Sequence, residues 1–78
     1  MMMTTEDVRK MILAKMPDAE VTVGDLTGTS DHFDIIVLSK AFAGKSLIDQ
    51  HKMVFEILKP EMDRGIHAVQ LKTRAINN

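Results

Sequence analysis

The chain is 78 residues long and carries 10 Lys and Arg against 11 Asp and Glu, with hydrophobic residues at 45% and charged residues at 27%. That is globular usage rather than the composition of a disordered segment, and the length leaves room for a single domain, 1–78, with no catalytic domain beside a binding domain. The lack of cysteine excludes a disulfide framework, a thiolate metal site and a thiol nucleophile within this chain, and a formal charge of -1 gives no global attraction to nucleic acid or anionic lipid.

The N-terminus, Met1-Met2-Met3-Thr4-Thr5-Glu6-Asp7, turns polar and acidic after its methionines, unlike a secretory signal. No apolar run approaches the roughly 20 residues of a membrane span. A cytoplasmic protein with no membrane partner is the expectation. From Thr5 to Met16 the spacing predicts a helix, because Val8, Met11, Ile12 and Met16 form one apolar stripe. Thr4 or Thr5 can cap it, Glu6 and Asp7 suit its first turn, and Pro17 stops it.

Ala19 to Leu26 alternates early and reads as a half-exposed edge strand, and Thr27 to Asp31 is turn chemistry. Phe33 to Leu38 is apolar on both parities from Ile35 onward, which predicts a strand covered on both faces or central in its sheet. Lys40 to Lys45 reads as a loop. Ser46 then caps the clearest helix, whose predicted buried face comprises Leu47, Ile48, His51, Val54, Phe55 and Leu58. Pro60 is expected to interrupt that helix, with Glu61 to Arg64 forming a short extra turn. Ile66 to Thr73 reads as a third strand, and Arg74 to Asn78 is left unassigned.

The short turn favours an antiparallel hairpin between the first two strands, and the helical connection favours a third strand parallel to the second. The predicted fold is therefore α+β, with the order α-β-β-α-(α)-β and helices on one face of a three-stranded mixed sheet.

Enzymatic motifs fail on inspection. Gly44-Lys45-Ser46 would end a phosphate-binding loop only with a glycine five residues before Gly44, where Ser39 stands. Ser30 and Ser46 have no local base to make either a nucleophile. Of the histidines, His51 reads as a packed imidazole with one nitrogen hydrogen-bonded, His32 as a solvated loop side chain, and His67 as an edge-of-core residue. If the second and third strands are parallel neighbours, His32 and His67 share one end of the sheet. With strands about 4.8 Å apart, two imidazoles there can approach one metal ion. Two histidines do not fill a coordination shell, so such a site is open to ligands from another molecule.

Three stretches carry a family resemblance: Phe42-Ala43-Gly44-Lys45-Ser46-Leu47, Gln50-His51-Lys52-Met53-Val54-Phe55, and Gly65-Ile66-His67-Ala68-Val69-Gln70-Leu71-Lys72-Thr73. Together with Asp31-His32-Phe33 they resemble the BolA family over about residues 5–74. The resemblance implies a fold like the type II KH domain and no enzymatic activity. It also implies pairing with a CGFS-type monothiol glutaredoxin, the two proteins and glutathione holding a [2Fe-2S] cluster between them in iron–sulfur assembly, trafficking or iron regulation. The family's strand-opening histidine maps onto His67 as a cluster ligand. A second ligand, Cys or His in many members, has His32 as its candidate by type. Histidine in place of thiolate removes negative charge from the iron, raising the reduction potential, and makes the ligand titratable. The chain departs from the family after Lys72-Thr73, continuing as Arg74-Ala75-Ile76-Asn77-Asn78 instead of a Pro- and Trp-containing segment. The alternative is a KH-like nucleic-acid-binding transcriptional regulator, although the Gly-x-x-Gly phosphate clamp is missing and the cations alternate with acids. Zinc binding without a glutaredoxin, and a weak homodimer, stay open.

Overall fold

The structure, a computed structural model, describes residues 4–25, 32–63 and 68–76. Helix α1 (Thr5–Lys15) begins with a capping box: the Thr4 hydroxyl accepts from the Asp7 N–H while the Asp7 carboxylate accepts from the Thr4 N–H. Two of the helix's orphan donors are thereby satisfied. The helix ends one residue short of the predicted limit, with Met16 as its C-cap. Val8, Ile12 and Met16 are buried as their spacing requires, while Met11 is half-buried at the rim of the stripe.

Strand β1 (Glu20–Asp25) pairs antiparallel with β2 (His32–Ser39), and β2 pairs parallel with β3 (Ala68–Ala75), giving the sheet order β1-β2-β3. The second strand is central, as its composition predicts, but only one of its faces is sealed. Phe33, Ile35, Val37 and Ser39 are fully buried, whereas His32, Asp34, Ile36 and Leu38 are half-exposed. Both helices lie against the sealed face, and Val8 and Ile12 from α1 join Phe33, Ile35 and Val37 in the core. The turn assigned to 27–31 lies outside the described residues.

The predicted loop from Lys40 starts with a short 3-10 turn (Lys40–Phe42) that drives Phe42 fully into the core. Gly44 follows at φ 75, a left-handed conformation that costs a residue with a Cβ about 1–2 kcal/mol. This is where the chain swings from the sheet into α2 (Leu47–Met62), capped by the Ser46 hydroxyl, which accepts from the Asp49 N–H at 3.2 Å.

Helix α2 departs from its predicted face. Val54 and Leu58 are buried, His51 and Phe55 are half-buried, and Leu47 and Ile48 are 60% and 69% exposed. Both are in the first turn, before the helix reaches the packed segment around Val54. Pro60 does not interrupt the helix; Glu61 and Met62 complete it. Proline lies close enough to the C-terminus that only one turn follows the missing N–H. The third strand runs on through Arg74 and Ala75, two residues beyond its predicted end, and Ile66 and His67 lie outside the described residues.

Two side-chain links fix the sheet's connections. At the C-terminal end of β2, the buried Ser39 hydroxyl donates to Asp18 Oδ2 at 3.0 Å and accepts from the Ala41 N–H at 3.0 Å, and the Lys40 N–H also donates to Asp18. At the start of α2, Thr73 Oγ1 donates to Gln50 Oε1 at 2.7 Å while Gln50 Nε2 donates to the Lys45 carbonyl. The pair Gln50 and Thr73 thus ties α2 to β3 directly.

Candidate functional site

Chain direction brings the N-terminal ends of β2 and β3 together. His32 is the first residue of β2 rather than part of a loop, is half-buried, and stands opposite Ala68 in the parallel register. His67 is the residue before Ala68 in the sequence and lies outside the described residues, so the register fixes the place where the chain enters β3 and not the histidine itself. Asp25 closes β1 opposite Phe33, and Asp34 follows His32 on the same parity. The mouth of the sheet therefore gathers Asp25, His32, Asp34 and Ala68. Asp25 and His32 each have an interaction partner. An imidazole has two ring nitrogens, so an engaged ring can still offer one to a second group.

Among the described residues no cluster of three or more His, Cys, Asp or Glu is arranged to hold a metal ion. The donor set fits a shared cluster in one way only. Imidazole is a good ligand for iron, but without a cysteine in the chain the sulfur ligands that [2Fe-2S] clusters ordinarily require must come from elsewhere. By donor type, the imidazole of His32 suits a contributor to such a group and not its complete cage.

His51, the third histidine, is structural in setting. Its ring meets Phe55 edge-on with centroids 6.4 Å apart at 83°. The expected hydrogen bond is not made at Nε2, which is buried without a partner among the described residues. The carboxylates with displaced pKa values are also structural. Asp7 is held below the ordinary value by the Thr4 N–H and hydroxyl, and Asp18 by the Lys40 N–H and the Ser39 hydroxyl. Asp18 and Ser39 sit at the opposite end of β2 from His32.

The cations that a nucleic-acid reading needs are split between two sides. Lys72 and Arg74 alternate with half-buried residues on β3 and point away from the helices. Lys52 and Lys59 flank a shallow groove of about 370 Å³ on α2, whose lining also includes Phe55, Met62, Glu56 and Asp63. Asp34 escaped the sequence reading, although its parity with His32 places it on the same strand face. No helix among the described residues is long and apolar enough to cross a membrane.

A family model described as BolA-like protein matches residues 12–78. The uncharacterized protein RP812 of Rickettsia prowazekii is 30% identical over 97% of this chain and 99% of its own length. Its NMR structure, that of a BolA-like hypothetical protein, superposes with a TM-score of 0.75 over 99% of this chain and 100% of that one. Protein BOLA2 of Arabidopsis thaliana is 35% identical over 91% of this chain and 76% of that protein. The DNA-binding transcriptional regulator BolA of Escherichia coli is 31% identical over 63% of this chain, and the match spans 47% of that protein.

Proposed function

Because the chain belongs to the BolA-like family, we propose that it is a non-enzymatic cytoplasmic partner of a CGFS-type monothiol glutaredoxin, with which it shares a [2Fe-2S] cluster. The Escherichia coli relative is named a DNA-binding transcriptional regulator, and an adaptor that completes another protein's metal site is likewise a non-enzymatic role. The observation that supports this reading is the parallel register of His32 with Ala68, which sets His32 at the end of the sheet where β3 begins. His67 is the proposed ligand and His32 the second candidate. The cluster, with its thiolates supplied by the glutaredoxin and glutathione, would bring one-electron chemistry and an exchangeable iron–sulfur cargo.

The residues of this chain have three tasks. His67 and His32 would each present an imidazole nitrogen to the partner's iron. Strands β2 and β3, locked in register over His32 to Ser39 and Ala68 to Ala75, hold the two strand entrances at a fixed spacing. Asp34, two residues after His32 on the same strand face, would place a carboxylate beside it. Such a partner-completed site suits transfer or sensing, because separating the two proteins releases one ligand set.

Mixing the purified protein with a CGFS glutaredoxin, iron, sulfide and glutathione should give a heterodimer whose visible spectrum differs from that of the glutaredoxin homodimer. His67→Ala should abolish that spectrum or shorten the cluster's lifetime. An unchanged spectrum and lifetime would remove His67 from the site.

The second reading, nucleic-acid binding, is favoured by the name of the Escherichia coli relative. The separation of Lys72 and Arg74 from Lys52 and Lys59 speaks against one continuous phosphate track. Tight duplex binding at physiological salt with a steep salt dependence would reinstate it.

A further inference from the structure

Strand β2 is apolar on both parities, yet the helices cover one face of the sheet. Ile36 and Leu38 point to the other face, are half-exposed, and are not among the residues of the hydrophobic core or those packed against it. An apolar strand centre on an open face is the pattern expected where a second layer covers it.

The register shows what that layer can be. Glu20 pairs with Leu38, and Leu38 pairs with Arg74, so one row across the open face reads acid, leucine, base. The next row reads Thr22, Ile36, Lys72. The acidic edge is therefore on β1, the basic edge on β3, and the apolar pair between them. Glu20, Lys72 and Arg74 are exposed and make no ion pair among the described residues.

We propose that this open face is a homodimer interface, in which a second copy of the chain packs sheet to sheet about a two-fold axis nearly parallel to β2. Such an axis exchanges the two edges. Glu20 of one copy then lies over Arg74 of the other, twice, while Leu38 and Ile36 meet their own counterparts at the centre. An axis inclined by about 15° to β2 gives the roughly 30° crossing that twisted sheets prefer when stacked. The face is self-complementary in charge, which is what an isologous contact requires. An axis perpendicular to the strands would instead superpose like edges.

The contact is small. Three strands about 4.8 Å apart and some seven residues long at about 3.3 Å each present roughly 300–400 Å² per copy. A stable interface needs about 800 Å² per partner, so this dimer is weak, with a Kd on the order of 1 mM or somewhat below. One like-charge pair is created, Asp34 with its counterpart, towards the N-terminal end of β2.

Sedimentation equilibrium and NMR translational diffusion of the full chain, from about 0.05 to 2 mM, bracket that affinity. The mass should rise towards a dimer, with chemical-shift changes at Glu20, Ile36, Leu38 and Arg74. Glu20→Arg or Arg74→Glu alone should weaken association at least about tenfold, since each change acts twice in a symmetric dimer. The combined Glu20→Arg and Arg74→Glu protein should regain it, and Asp34→Asn should tighten it; circular dichroism verifies that each variant is folded. A wild-type mass that stays monomeric over this range overturns the proposal. So do single charge swaps without effect, or shift changes confined to the helix side. Failure of the combined swap to restore a dimer overturns the two-fold arrangement and points to a different partner. None of these outcomes depends on the glutaredoxin reading.

Discussion

Ser39→Ala tests how the C-terminal end of β2 is anchored to the connection between α1 and β1. Ser39 is fully buried, its hydroxyl donates to Asp18 and accepts from the Ala41 N–H, and its carbonyl accepts from the Ile76 N–H. Alanine keeps the backbone bond and deletes both side-chain bonds, leaving the Ala41 N–H short of a partner. Two hydrogen bonds lost at a part-buried site amount to about 1–3 kcal/mol. Unfolding entropy of about 2.1 cal/mol/K per residue over 78 residues is roughly 160 cal/mol/K, so each kcal/mol moves Tm by about 6 °C. A fall of about 6–18 °C in a calorimetric or circular-dichroism melt is expected, a large share of the stability of so small a domain. Asp18→Ala removes the same link from the other side, so the double variant should lose clearly less than the sum of the single losses. A shift below about 3 °C, or strict additivity, would refute the link's role.

Three further outcomes follow from the same structure. Pro60→Ala should stabilise the protein by about 1–2 kcal/mol, because it restores an N–H to the last turn of α2 against a modest gain in unfolded-state freedom; chemical denaturation at fixed pH reads it directly. Gly44→Ala should cost about 1–2 kcal/mol through backbone strain alone, since nothing within 4 Å obstructs a Cβ there. Asp7 and Asp18 have pKa values lowered in the folded state from 3.8. Their stabilisation is intact above that unfolded value and is lost as pH falls through the lower folded values, so Tm should drop on acidification and Asp18→Asn should flatten that drop.

Much of the architecture was legible because local chemistry and long-range packing ask for the same thing. Thr4 and Ser46 cap the helices as their side chains dictate, and the short turn and the helical crossover set the strand directions that β1, β2 and β3 adopt. Other features depend on partners remote in sequence. Phe42 stands alone in a short loop, with no periodicity to mark it as core. Asp18 with Ser39 and Gln50 with Thr73 are separated by 21 and 23 positions, and nothing in either pair's local pattern announces the other. Leu47 and Ile48 have helical spacing with Val54 and Leu58 but sit where the helix has little to pack against. At the site, strand direction sets His32 beside Ala68, where β3 begins, and the chain enters β2 one residue earlier than the turn composition suggests. His67 is singled out by the resemblance and by its place at the start of a strand expected to run parallel to β2, whereas the strand pattern alone reads it as an edge-of-core residue; it lies outside the described residues.

Nuclear hyperfine spectroscopy of the reduced mixed complex addresses the central proposal most directly. With this protein labelled with ¹⁵N at histidine and the glutaredoxin unlabelled, the cluster's electron spin should couple to ¹⁵N, and the coupling from His67 should vanish in His67→Ala. A well-formed heterodimeric cluster showing no histidine nitrogen coupling from this chain would contradict the account.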